Sequence, residues 1–149
     1  MPARTIYLIK RLETEVTSQM IKILGAYDIT PSQYIVLNFV GDNETDLSSA
    51  QLSRRFLMTP QSMNEVVSSL ERKTLLERKT DPKHKRILRI SLTENGKAAL
   101  QVCNAAMDEF EAKLLSGLKP KEVDAFRTIT GKILDNFKKQ EAQTIQDTV

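Results

Sequence analysis

Cysteine and histidine are nearly absent from this chain of 149 residues, which has one of each, Cys103 and His84, and no tryptophan. A single cysteine excludes an intramolecular disulfide framework and fits the reducing cytoplasm, where we expect the protein to work. The patterns HExxH, CxxC and GxSxG do not occur, and neither does a glycine-rich phosphate-binding loop. We therefore predict that the chain is not an enzyme and that it has no catalytic residues, no metal site and no cofactor.

Glycine and proline are also scarce, at five each, which argues against a disordered or collagen-like chain. The short apolar run at residues 6–9 ends at once in Lys10 and Arg11, unlike a signal peptide. No stretch approaches the roughly 18 uninterrupted apolar residues of a membrane span. With 40% hydrophobic and 28% charged residues, the composition predicts a single domain over residues 1–149 with no membrane partner.

Positive charge is concentrated in the middle third of the chain. Residues 47–92 contain ten Lys and Arg against four Asp and Glu, whereas all other residues together contain twelve against fifteen. A basic block inside a near-neutral chain indicates a polyanionic partner. An ordinary solvated face is the alternative, because most runs of charge are only that.

The spacing of apolar side chains predicts two helices before residue 41. The first covers residues 6–27 and has one apolar stripe. The second begins at Thr30 and Pro31, where Thr30 and Gln33 match a capping box, and runs to about Val40. This second helix is apolar on nearly every side, so it should lie in the centre. Residues 41–46 read as a polar turn.

The basic third predicts a helix-turn-helix followed by a β-hairpin. Ser48 and Gln51 match a second capping box, which opens a short helix to about Phe56. Thr59 and Pro60 open another helix, whose apolar residues recur at positions 63, 66, 67 and 70. The pattern then changes to two strands, residues 75–80 and 87–92, joined by a polar turn with three cations.

Two further helices are expected after the hairpin. Thr93 caps a long helix that ends near residues 116–117, and Pro120 opens the last one, whose apolar residues step by three and four from Val123 to Phe137. Residues 140–149 are polar and are expected to fray. The apolar stripes of the first and the last two helices are too many for one thin lobe to bury, so we predict a homodimer.

This order of elements resembles the MarR family of regulators over essentially the whole chain. The most specific stretch is Asp81-Pro82-x-x-Lys85-Arg86, followed by Ser91-Leu92-Thr93-x-x-Gly96, which is similar to the wing of that family and the segment leading into its next helix. The resemblance implies a mainly α fold with a small β-hairpin wing, in which a winged helix-turn-helix DNA-binding lobe (about 30–92) is joined to a helical dimerisation region (about 5–27 and 94–139).

Four positions depart from the family pattern. His84 stands where the family usually has a second wing aspartate, and Lys85 replaces a common arginine. Thr74 replaces the glycine before the first strand, and Lys119 replaces the serine cap of the last helix. The change at His84 puts in doubt the ion pair that braces the wing in the family.

The resemblance implies that the second helix of the motif enters the major groove of double-stranded DNA. Amides there can pair with adenine and a carboxylate can accept from cytosine. The residues expected to face the bases are Gln61, Ser62, Asn64, Glu65 and Ser68. A plain solvated face is the alternative reading of this helix.

Cations on either side of that helix are candidates for contacts with phosphate and the minor groove. Arg54 and Arg55 suit phosphate contacts, and the wing tip, Lys83, His84, Lys85 and Arg86, suits the minor groove, with Arg86 aligned to the family's wing arginine. An ordinary lysine-rich turn is the alternative for the tip. Four more cations either contact phosphate or are simply solvated: Arg72, Lys73, Arg78 and Lys79.

The resemblance also implies a small aromatic or phenolic effector and a repressor that acts on a pseudo-palindromic operator. The candidate ligand-binding residues are Tyr7, Arg11, Met20, Tyr27, Tyr34 and Phe39, each of which is explained equally well by packing or, for Arg11, by surface charge. Cys103 lies on an apolar stripe and reads as a buried hydrophobe rather than an oxidant sensor. The rival class is a winged helix that docks on another protein, which should expose an apolar patch in place of the basic tip.

Overall fold

The computed structural model describes residues 4–42, 47–56 and 58–146. The elements in chain order are α1 (Thr5–Gly25), α2 (Pro31–Asp42), β1 (Leu47–Ser48), α3 (Ser49–Arg55), α4 (Pro60–Arg72), β2 (Leu76–Thr80), β3 (Leu88–Leu92), α5 (Glu94–Leu114) and α6 (Pro120–Gln146). The predicted class, mainly α with a small β wing, is confirmed. In the part of the chain that is described, no helix is long and apolar enough to cross a membrane.

The chain forms two compact units, Met1–Asp108 and Glu109–Val149. The core of the first unit is built on α2 and α4, as their apolar patterns predict. Val36 and Leu37 of α2 pack with α4 residues Met63, Val67 and Leu70, all of them fully or almost fully buried. Burying each such side chain stabilises the fold by about 1.5–3 kcal/mol relative to leaving it in water.

Local capping fixes where three of the helices begin. In α2 the Gln33 backbone N–H donates to Thr30 Oγ1 at 3.2 Å and the Thr30 N–H donates to Gln33 Oε1 at 3.0 Å. Ser48 and Gln51 make the same reciprocal pair at the start of α3. Thr59 Oγ1 accepts from the Ser62 N–H at the start of α4. The two predicted capping boxes and the threonine cap are therefore confirmed.

Helices α1 and α4 both end in a Schellman turn. Asp28 and Thr74 have positive φ angles of 56° and 60°. In each turn the next residue donates back to a buried leucine five positions earlier, Ile29 to Leu24 O at 3.2 Å and Leu75 to Leu70 O at 2.9 Å. Thr74 thus has the left-handed backbone for which the family's glycine is suited, and its branched side chain strains that conformation.

The sheet is antiparallel, with strand order β1-β3-β2. The hairpin of β2 and β3 was predicted, but β1, which pairs Leu47 with Ile90, was not. Residues 43–46 of the predicted polar turn lie outside the described residues. In β3, Ile90 is buried whereas Leu88, towards the tip, is exposed.

The sheet meets α5 at a close backbone contact. Thr93 caps α5 by accepting from the Gly96 N–H at 2.9 Å, as predicted, and its own hydroxyl donates to Thr74 O. A Cβ at Gly96 would overlap the backbone carbonyl of Leu75. Glycine is therefore required at residue 96 for this packing rather than for its backbone angles.

The second unit contains the end of α5 and the whole of α6. Arg127 of α6 pairs with Glu111 of α5 at 3.4 Å. The backbone N–H of Lys119 donates to Glu122 Oε2 at 2.7 Å, which retains half of a capping box without the family's serine. The helix continues to Gln146, past residue 139, where the predicted dimerisation region ends.

Candidate nucleic-acid interface

The solvent face of α4 carries the polar side chains that were predicted to meet bases. Gln61, Asn64 and Glu65 are exposed, and Ser68 is half-buried beside them. Ser62 is half-buried and its hydroxyl accepts from Thr59 Oγ1 at 2.9 Å, so it belongs to the helix cap. Four of the five predicted residues, together with Pro60 and Arg72, line one shallow groove: Gln61, Asn64, Glu65 and Ser68.

Asn64 is held by residues from α3 and β2. Its Oδ1 accepts from Ser49 Oγ at 3.1 Å and from Arg78 Nη2 at 3.5 Å. Arg78 Nη2 also donates to Ser68 Oγ at 3.4 Å, and its Nε lies 3.4 Å from Glu71 Oε2. Oδ1 of Asn64 is thus engaged within the protein, whereas its amide nitrogen is a donor.

Arg78 has a role that the sequence did not predict. It was expected either to contact phosphate or to be solvated, but its side chain is only 24% exposed and is bonded to α4. It pairs with Ile90 in the sheet register, and so lies on the face of the sheet that packs against the helices. The strict alternation of β2 from Leu76, which is buried, would have indicated this orientation.

The wing is braced by Asp81. Its Oδ1 accepts from the backbone N–H groups of Lys83 and His84 at 2.7 and 3.0 Å, and its Oδ2 accepts from Arg89 Nε at 2.6 Å. These bonds, the Arg89 side chain first, lower the pKa of Asp81 from 3.8 to about 2. Asp81 and Arg89 thus form an ion pair that braces the wing without a carboxylate at residue 84, and Arg89 also donates to Gln51 Oε1 at 3.3 Å.

The wing tip and α3 face a common groove. The tip residues Lys83, His84, Lys85 and Arg86 are all exposed. Arg86 lines a groove of about 440 Å³ together with Arg54, Asn64, Arg78 and Leu88. The structure thus brings Arg54 of α3, two arginines of the hairpin and the amide of Asn64 to the same surface.

Arg54 and Arg55 are adjacent in sequence but differ in their surroundings. Arg54 is exposed on the groove and has no hydrogen-bond or ion-pair partner among the residues described. The guanidinium of Arg55 lies 4.8 Å above the Phe39 ring, which itself meets Phe56 edge-on at 5.0 Å. Arg55 is therefore held on an aromatic pair, at the edge of a second groove that Arg54 shares.

The six candidate ligand-binding residues lie in different settings. Tyr7, Arg11 and Tyr27 are exposed and Met20 is half-buried. Tyr34 donates its hydroxyl to Asn104 Oδ1 at 2.8 Å, an oxygen that also accepts from Asn38 Nδ2, and burial raises the pKa of Tyr34. Phe39 lies beneath Arg55.

Cys103 and the acidic residues carry the remaining groups with chemistry of their own. Cys103 is fully buried, and burial raises the pKa of its thiol, so the interpretation as a small hydrophobe is confirmed. Within residues 4–42, 47–56 and 58–146, no group of three or more His, Cys, Asp or Glu is placed to hold a metal ion.

Comparisons with known proteins agree with this geometry. The chain is 27% identical to the HTH-type transcriptional regulator PapX of Escherichia coli over 128 residues, which cover 85% of this chain and 78% of PapX. The crystal structure of an S. aureus MepR–DNA complex superposes with a TM-score of 0.82 at 24% identity, covering 90% of this chain and 98% of that one. The transcriptional repressor CouR, bound to a 23-mer DNA duplex, gives a TM-score of 0.82 at 21% identity, covering 87% and 92%.

PapX is named as a transcriptional regulator and not as an enzyme, in agreement with the prediction that this chain has no catalytic role. The model of the MarR family matches residues 27–87, which span α2, the helix-turn-helix and most of the wing. The fold and this match show that the chain is similar to the MarR family over its winged helix-turn-helix.

Proposed function

We propose that this chain is a sequence-specific DNA-binding transcription regulator that acts in the cytoplasm as a homodimer on a pseudo-palindromic operator. Helix α4 enters the major groove, the wing tip reaches the neighbouring minor groove, and Arg54 contacts the phosphates between them. The observation that carries the proposal is the groove shared by Arg54, Asn64 and Arg86. It joins a base-reading amide to cations from two other elements on one exposed surface.

The character of this surface favours nucleic acid over a protein partner. The α4 face is polar, and the hairpin tip presents three exposed cations, Lys83, Lys85 and Arg86. A protein-docking winged helix should instead expose an apolar patch there. The DNA-bound structures of MepR and CouR have the same fold and support this choice.

Asn64 is proposed to read a base through its amide nitrogen. Its Oδ1 already accepts from Ser49 and Arg78, so a bidentate pair with adenine would require those bonds to break. A donor alone suits an acceptor in the major groove, such as the O6 or N7 atom of guanine. We expect Asn64 to contact such an acceptor through one bond, without the bidentate pattern that would specify adenine.

The dimer is proposed from apolar side chains that a single chain leaves in water. In α1 the exposed set is Ile6, Tyr7, Leu8, Ile9 and Leu12, and in α6 it is Phe126, Ile129, Ile133, Leu134 and Phe137. Exposed rows of this extent mark an interaction surface. A two-fold dimer would bury them and place two recognition helices on two half-sites.

The proposal includes repression that is released by a small aromatic or phenolic effector. Its support is the similarity of the chain to the MarR family, and the half-buried Tyr34–Asn104 pair is the candidate polar group for contact with a phenol. A panel of substituted phenols and benzoates should lower operator affinity in a gel-shift titration. Tyr34→Phe should weaken that response.

The experiment that tests the function is selection of bound duplexes from a random DNA pool by the full-length protein. Enrichment of a two-fold symmetric sequence is the expected result, and it would define the half-sites and their spacing. Recovery of unenriched DNA would contradict the proposal and favour the protein-docking class.

A further inference from the structure

The last turn of α4 is bonded to the corner between α1 and α2 by a polar cluster outside the interface described above. Lys73, which ends α4, places Nζ 3.2 Å from Gln33 Oε1 and 3.3 Å from Asp28 Oδ2, and it also donates to the Asp28 backbone oxygen. One turn earlier, Ser69 Oγ accepts from Gln33 Nε2 at 2.9 Å. Two side chains at the end of α4, those of Ser69 and Lys73, thus bind the single side chain of Gln33 in α2.

Gln33 is the centre of this cluster. It is 5% exposed, and the same Oε1 that meets Lys73 accepts from the Thr30 N–H in the capping box of α2. Its amide oxygen and nitrogen both have protein partners, and a buried amide that loses a partner is destabilising. Helix α4 therefore cannot turn relative to α2 without breaking bonds that are costly to lose.

The corner that receives Lys73 is itself well defined. Asp28 occupies the left-handed position of the Schellman turn that ends α1, and the next residue, Ile29, is buried with Leu24. The Lys73 side chain is 27% exposed. Its ammonium is thus directed to the corner, which excludes the purely solvated role considered for it from the sequence.

We infer that Lys73 and Gln33 are positioning residues that fix the angle between α4, the proposed recognition helix, and α1. This angle sets the separation of the two α4 helices in the dimer. The inference rests on the proposed function. We assign no DNA contact to this cluster. Instead, the cluster determines which spacing of half-sites the dimer prefers.

The test uses the full-length protein and duplexes with the selected half-sites at the selected spacing or with one base pair added or removed. One base pair moves a half-site by about 3.4 Å and about a tenth of a turn. Wild-type protein should discriminate against both altered spacings by about tenfold or more, similar to the effect of a mismatched base pair. In Lys73→Met this discrimination should fall to about threefold or less, because a loosely held helix adapts to either register.

Two control variants separate positioning from loss of charge. Lys22→Met removes an exposed lysine of α1 and should leave the spacing preference unchanged. Arg72→Met removes the neighbouring cation on the α4 groove and should weaken all three spacings by one common factor. If Lys73→Met behaves like Arg72→Met, the inference is overturned.

A second measurement does not depend on DNA. Backbone amides in the last turn of α4 should exchange hydrogen faster in Lys73→Met and in Ser69→Ala than in Lys22→Met. Equal protection in all three variants would overturn the inference. If wild-type protein selects no DNA sequence, the proposed function and the spacing role fail together, and the exchange experiment still decides whether the cluster holds α4.

Discussion

At the scale of single residues, Thr74 is the position where the chain departs from the MarR pattern at a structural cost. Its φ of 60° lies in the left-handed region, which disfavours non-glycine residues and branched side chains most of all. The hydroxyl offsets part of that cost by accepting from Asn95 Nδ2 at 3.3 Å.

Thr74→Gly is therefore expected to stabilise the fold by about 0.5–1 kcal/mol, since relief of backbone strain exceeds the extra entropy that glycine adds to the unfolded chain. The free energy of unfolding in urea measures this change. Asp28→Gly, at the other positive φ, is the matched control and should gain less, because aspartate tolerates this conformation. Destabilisation by Thr74→Gly would show that the bond to Asn95 outweighs the strain.

Asp81 determines how the wing responds to acid. Its pKa is lowered from 3.8 to about 2, so its ionised form stabilises the folded wing above pH 4, and this contribution is lost as the pH falls towards 2. Replacement of Arg89 by Gln removes the largest cause of the shift and should bring the pKa of Asp81 back towards 3.8. NMR titration of the carboxyl group tests this directly, and an unchanged midpoint in the Arg89 variant would contradict the assigned cause.

At the scale of elements, the starts of the helices could be predicted because their caps are local. Thr30, Ser48 and Thr59 each bond to a residue three positions ahead, so a short stretch of sequence contains the whole signal. Strand β1 has two residues and exists through its pairing with β3, which no local pattern of Leu47 and Ser48 reveals.

The candidate site was predictable to a similar degree. The polar face of α4 follows from helical spacing, and the exposed wing tip follows from its turn. The difference between Arg54 and Arg55 could not be predicted, because it depends on Phe39, which is distant in sequence. The brace of the wing by Arg89 likewise joins residues eight positions apart through the geometry of the hairpin.

The roles of Asn64 in base reading and of Arg54 in phosphate contact should be separable by mutation. Asn64→Ala should cost roughly 1–3 kcal/mol on the selected operator and relax the preference at one base pair, whereas Arg54→Ala should weaken all duplexes alike. Binding of a duplex library to each variant measures both effects. If Arg54→Ala alters the sequence preference and Asn64→Ala does not, the two roles must be exchanged.

The wing tip offers a further comparison at this scale. His84→Asp restores the family's usual residue but places a negative charge among Lys83, Lys85 and Arg86, all exposed. Since Asp81 already braces the wing, the new carboxylate is not needed for structure and should reduce affinity for any duplex. Tighter binding by His84→Asp would indicate that the tip requires a second brace.

At the scale of the whole molecule, the proposed binding to two half-sites requires a dimer. Removal of residues 119–149 deletes α6 and the apolar row that includes Phe126, Ile133 and Phe137, which are 44%, 39% and 59% exposed. In sedimentation velocity the truncated chain should be monomeric, or it should be insoluble. The apolar row that remains on α1 would have lost the surface against which it packs in the dimer. A stable dimer of the truncated chain would show that α6 is not part of the interface.

Two-fold electrostatic binding to DNA through α4 and the wing can be tested by footprinting the selected duplex across a salt titration. We expect two protected half-sites about one helical turn apart, and an affinity that falls with salt at a log–log slope of about −0.9 per neutralised phosphate. Protection of one half-site only, or an affinity that does not respond to salt, would contradict it.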